Sequence, residues 1–186
     1  MAVAVEGMPV DSVTMVYMAM FMALTTLLSW INSFFPEMAQ GGTVSIDIIA
    51  IFVCAYLMGA GYGVICGIGT SILQFALGMA QFWGPWSVLF DYVLPLAVCG
   101  LAPLVKSTKI KGVTIYWGVV FAMVLKFLSH YISGAFVFAS STPEGMSPYF
   151  YSLIYNLPYN LATLIVCMIV MSLIYPRIHN AAKRFH

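Results

Sequence analysis

The stretch LKFLSHYISG, residues 125–134, sets Lys126 and His130 four residues apart in a run otherwise made for lipid. On a helix that spacing stacks an ammonium and an imidazole on one face. Two further ionisable groups, Asp47 and Asp91, lie in equally apolar runs. Charged groups at membrane depth are costly and mark functional sites by default. A structural role competes for the lysine. Lys126 with Asp47 is the expected ion pair, and Asp91 is the other partner the sequence allows. Pairing to Asp47 leaves Asp91 and His130 for a ligand.

The candidate helix WSVLFDYVLPLAVCG carries Asp91 and Tyr92 one turn before Pro95, whose missing N–H loosens the helix there. In YFYSLIYNLPYNLATL, Asn156 and Asn160 share a face and Tyr151 sits near the outer end. Counted from the ends of their runs, Asp91, His130, Tyr151 and Asn156 reach a similar depth in the outer half of the membrane. Trp83, Trp86, Phe138 and Phe150 crowd the same side. This describes a pocket open to the outside and suited to a flat aromatic cation with ring nitrogens. A carboxylate balances the charge, aromatic faces attract it, and Asn and His read ring edges. A pump or channel would carry polar groups through the whole thickness, and the inner half here reads dry.

Those residues need elements to hold them. The chain is 62% hydrophobic and 7% charged over 186 residues, with mean hydropathy +0.99. Soluble domains carry about 25% charged residues, so this is an integral membrane protein, and its net charge of +1 gives no footing to nucleic acid. A spanning helix needs about 20 mostly apolar residues. The runs predict a single membrane domain over 1–186, an all-α bundle of six transmembrane helices at roughly 12–35, 44–59, 61–81, 86–105, 113–139 and 148–175. Lys106, Lys109 and Lys111 lie between the fourth and fifth helices, and Arg177, Lys183 and Arg184 in the tail. Positive loops stay inside, so both termini are cytoplasmic and Glu37 and Glu144 fall outside. Glu6 and Asp11 replace the basic start of a secretory signal. Cys54, Cys66, Cys99 and Cys167 read as small buried hydrophobes. No metal constellation is evident. GYGVICGIGTS lacks the GK[ST] ending of a phosphate loop. Gly59, Gly63 and Gly67 recur every four residues, a face for close helix packing.

At these residues the chain resembles the thiamine-specific S components of energy-coupling factor (ECF) vitamin transporters. VLKFLSHYISG and YSLIYN are similar to that family's fifth and sixth helices, DYVLPLAVCGLA to its fourth and MGAGYGVICGIGTSILQ to its third. The resemblance implies a substrate-capture subunit of an ATP-driven importer, with no catalytic residues and no cofactor. Its substrate contacts would be Asp91, Tyr92, His130, Tyr151 and Asn156, with Phe138 and Trp83 as aromatic neighbours. It further implies partners: an ECF transmembrane subunit and two cytoplasmic ATPases in a bacterial plasma membrane. AMFMA supplies Ala19 and Ala23, similar to the AxxxA docking signature. Where the family has glutamate this chain has Asp91, and Phe138 stands where a stacking tryptophan is usual. A related ligand such as a hydroxymethylpyrimidine-type precursor, or work as a solitary secondary carrier, is the alternative.

Overall fold

The structure, a computed structural model, describes residues 11–38 and 41–182. Glu6, Lys183, Arg184 and His186 lie outside the described residues. Among those described, six apolar helices form one bundle. They are α1 Ser12–Asn32, α2 Ile48–Met58, α3 Ala60–Ala76, α4 Pro85–Cys99, α5 Trp117–Val137 and α6 Pro148–Ala182. Large apolar side chains such as Val16, Met20, Leu24, Ile72, Leu161 and Leu173 cover the outside. That is what a lipid-facing surface requires.

Helix α2 is buried all round: Ile48, Ile51, Phe52 and Cys54 are sealed among the other helices. Its 11 residues cover only about 16 Å of a core ~30 Å thick. The sequence expects helix from 44, but residues 42–46 form no helix. Membrane-depth backbone outside a helix must find other partners. The Gly42 N–H donates to the Tyr155 hydroxyl at 3.1 Å, Ser45 N–H to Thr163 Oγ1 at 3.1 Å, and Ile46 N–H to Asn32 Oδ1 at 3.2 Å. A Cβ on Gly42 would stand 2.7 Å from the Tyr159 ring, so glycine lets this non-helical segment lie against α6. The late start of α2 leaves a hollow at that end of the bundle.

Gly59, with φ +112°, is the single-residue link from α2 to α3 rather than part of the α3 face. Gly63 of α3 takes the close approach instead: its Cβ would meet the Gly100 backbone at 2.8 Å. All four cysteines are buried free thiols.

Helices α4 and α5 each widen into a π-turn, over Val88–Val93 and Ser133–Val137. In α4 the wide turn ends just before Pro95, which cannot donate to the carbonyl of Asp91. Residues 113–115, expected as the start of the fifth helix, instead form a strand. β1 Thr108–Ile110 pairs antiparallel with β2 Val113–Ile115. Lys111 and Gly112, with φ +49° and +85°, close the two-residue turn, and β-branched residues fill both arms.

Candidate functional site

The hollow above α2 is a cavity of about 550 Å³. All seven residues expected to meet a ligand (Trp83, Asp91, Tyr92, His130, Phe138, Tyr151 and Asn156) line it, as do Lys126 and Asp47. It lies at the end of the bundle away from the lysine-bearing hairpin.

Asp91 sits on the π-turn of α4. Its Oδ2 accepts from Ser87 Oγ at 2.9 Å and from Ser133 Oγ at 2.7 Å. Its Oδ1 lies 3.5 Å from His130 Nδ1. The serines flank the two π-turns, so both wide turns converge on one carboxylate. Such turns concentrate at functional sites.

Lys126 corrects the sequence reading: it touches neither Asp47 nor Asp91. Its Nζ lies 3.2 Å from His130 Nε2 and 3.3 Å from Asn160 Oδ1. An ammonium has only donors, so His130 Nε2 carries the lone pair and the proton is on Nδ1, facing Asp91. Asp47 has other partners for both oxygens. Ser29 Oγ donates at 2.7 Å and Asn32 Nδ2 at 2.8 Å, and Gln74 Nε2 in turn donates to Ser29 Oγ at 2.8 Å. The Asp47 carboxylate, 5% exposed, is thus held by neutral donors from α1 with no cation in contact.

On α6, Asn156 Nδ2 donates to the Ser152 carbonyl at 2.8 Å, and the Tyr159 hydroxyl donates to Asn156 Oδ1. Gly134 of α5 faces this pair; a Cβ there would stand 3.1 Å from Asn156 Nδ2. At the rim, Trp83 is exposed, packs edge-on to Phe138 at 6.1 Å, and donates from Nε1 to Gln81 Oε1 at 3.1 Å. The Tyr92 hydroxyl accepts the Gln81 N–H at 2.9 Å and its ring meets Phe75.

The sequence reading missed Ser29, Asn32, Glu37, Gln74, Ser87, Tyr155 and Tyr159 on the cavity wall. Ser29 and Asn32 are three apart in an apolar run, and Gln74 is a lone carboxamide in another; both were visible signals. Ser87 carried none, because a single serine in a membrane helix is ordinary.

Ala19 and Ala23, expected to meet a partner, are exposed on the outside of α1. Ala23 also borders a shallow apolar groove with Leu27, Leu73 and Leu77. Packing of this face inside the bundle is excluded. Chemically, the cavity combines carboxylates, ring-edge donors and acceptors, and aromatic faces, the means to hold a flat organic cation without reacting with it.

Comparison with known proteins yields one consistent picture. A family model described as thiamine transporter protein matches residues 15–183. The thiamine transporter ThiT of Bacillus subtilis (strain 168) is 32% identical over 184 residues, covering 92% of this chain and 96% of that protein. A solved structure of ThiT from Listeria monocytogenes superposes with TM-score 0.74 at 19% identity, over 89% of this chain and 94% of that one. The latter likeness establishes the shared fold.

Proposed function

From its membership of the thiamine transporter family, to which this chain belongs, we propose that the protein captures thiamine in the cavity above α2 and carries it inward without chemical change. The observation that carries the reading is the composition of the wall. Asp91 and Asp47 offset the fixed positive charge of the thiazolium ring. Trp83 and Phe138 offer aromatic faces to the same charge. His130, Tyr151 and Asn156 supply donors and acceptors for the aminopyrimidine edge. Tyr92, braced by Gln81, closes the side between them.

Transport draws its energy from an ECF transmembrane subunit and two ATPases in the bacterial plasma membrane. The exposed small pair Ala19 and Ala23 supports docking of that subunit, because close approach of helices in lipid depends on such notches. The sequence carries no GK[ST] phosphate loop, so ATP hydrolysis falls to the partners.

Titrating purified protein with thiamine and, separately, with the free hydroxymethylpyrimidine tests the substrate. The expected result is tight quenching by thiamine and binding weaker by tenfold or more for the uncharged ring. Equal affinity for the two would shift the reading to a precursor transporter. Uptake into liposomes by the protein alone would replace the ECF mechanism with a solitary carrier.

A further inference from the structure

We propose that the β1–β2 hairpin is a docking surface for anionic phospholipid headgroups in the leaflet it borders. The hairpin lies between α4 and α5 at the end of the bundle away from the cavity; His130 is roughly 20 Å along α5 from its foot at about 1.5 Å per residue.

The hairpin is fixed to the bundle. Trp117 Nε1–H donates to Thr108 Oγ1 at 2.9 Å, and Ser172 Oγ of α6 donates to the Thr114 carbonyl at 3.0 Å. Tyr116, next in the chain, is buried against Tyr56 and Tyr175. Whatever the hairpin presents is therefore held in a set position.

Its faces differ. The register pairs Thr108 with Ile115, Lys109 with Thr114 and Ile110 with Val113. Side chains alternate across a strand, so Ile110, Val113 and Ile115 share one face and Lys109 stands on the other. Ile110 and Val113 are 51% and 52% exposed, and Leu104 and Trp117 beside them are exposed as well. Water does not favour such an apolar patch; the boundary between headgroups and acyl chains does.

The charges match that location. Lys106, Lys109 and Lys111 are exposed, and so is Arg177 on the neighbouring end of α6. None of the four has an ion-pair partner among the described residues. The one described carboxylate at this end, Asp11, caps α1 by accepting the Thr14 N–H at 2.8 Å. A cationic, apolar-footed surface beside a bilayer draws anionic lipid. A phosphodiester headgroup fits it: its oxygens accept from ammonium groups while its acyl chains meet Ile110 and Val113.

Native mass spectrometry of the full-length protein, in micelles doped with phosphatidylglycerol or phosphatidylcholine of matched chains, tests the surface. Wild type is expected to retain phosphatidylglycerol preferentially. The variant Lys106→Gln/Lys109→Gln/Lys111→Gln should lose that preference, about fivefold per lysine removed, while keeping its affinity for thiamine. If the triple variant fails to fold, the single substitutions carry the same comparison. Ile110→Ser/Val113→Ser should weaken retention of both lipids. Equal retention of the two lipids by wild type, or unchanged preference in the lysine variants, overturns the proposal. So does full competition by soluble glycerol phosphate, which would mark a site for free anions. Unchanged lipid retention with loss of partner-subunit assembly would assign the surface to a protein instead.

Discussion

Removing the serines that hold Asp91 is the sharpest test of the site. Ser87 and Ser133 both donate to Oδ2, at 2.9 and 2.7 Å, and both are buried. Neither is expected to need direct contact with the ligand; they act by fixing the carboxylate. Freeing one well-ordered side chain costs binding about 0.5–1.5 kcal/mol, so Ser133→Ala should weaken thiamine affinity about twofold to tenfold. With both serines gone, the carboxylate keeps only the long contact to His130 Nδ1 at 3.5 Å. A hydrogen bond to an ionised group is worth about 1.5–3 kcal/mol, which makes the double alanine variant about tenfold to hundredfold weaker. Asp91→Asn, which removes the charge itself, should fall in the same range.

The decisive measurement is the cycle that combines them, read by tryptophan fluorescence or calorimetry on folded protein. Residues that act through one group are not additive. In the Asp91→Asn background, Ser133→Ala should change affinity by less than about twofold. The reasoning is refuted if Ser133→Ala costs as much there as in wild type, because the serine then acts independently of the carboxylate. Unchanged affinity in the double alanine variant would refute it as directly.

Other outcomes follow from the same geometry. Asn156→Ala and His130→Ala should each lower thiamine affinity, whereas His179→Ala, stacked on Tyr175 at the opposite end, should leave it unchanged; fluorescence titration distinguishes them. Gly134→Val should abolish binding, since the added carbons enter the space of Ser152 and Asn156, and thermal unfolding would separate this from loss of fold. Ala19→Trp/Ala23→Trp should prevent co-purification with an ECF transmembrane subunit and stop uptake while thiamine binding survives, because both residues lie outside the bundle; retained assembly with full uptake would sink the docking role.

The helices and the wall residues on α4, α5 and α6 were legible because each is a polar exception in an apolar run. Asp91, His130 and Asn156 advertise themselves, and depth counted from helix ends brings them together. What sequence could not supply was partnership across long separations. The non-helical segment before α2 is held because Tyr155 and Thr163, more than a hundred residues on, accept from two of its N–H groups. No local pattern announces that, and an apolar stretch reads as helix to its edge. Likewise charge alone matches Lys126 to Asp47, whereas Ser29 and Asn32 already fill that carboxylate. The hairpin does carry a local signal: TKI and VTI are β-branched arms around a Lys-Gly turn.

The arrangement around Lys126 bears on how a cation can enter a cavity that already holds one. Glu37, Asp47 and Asp91 line the wall against Lys126, the one lysine or arginine there among the described residues, so the formal charge stays negative with His130 neutral. Lys126 is 3% exposed and its ammonium rests on His130 Nε2 and Asn160 Oδ1, neutral acceptors that leave the carboxylates un-neutralised by contact. Had it paired with Asp47, as charge matching alone would have it, one negative group would have been spent within the protein. Instead the lysine fixes the tautomer of His130, which turns its Nδ1 proton toward Asp91. The buried cation thus orders the hydrogen-bonding side of the site, and the two aspartates remain to oppose the charge of the ligand.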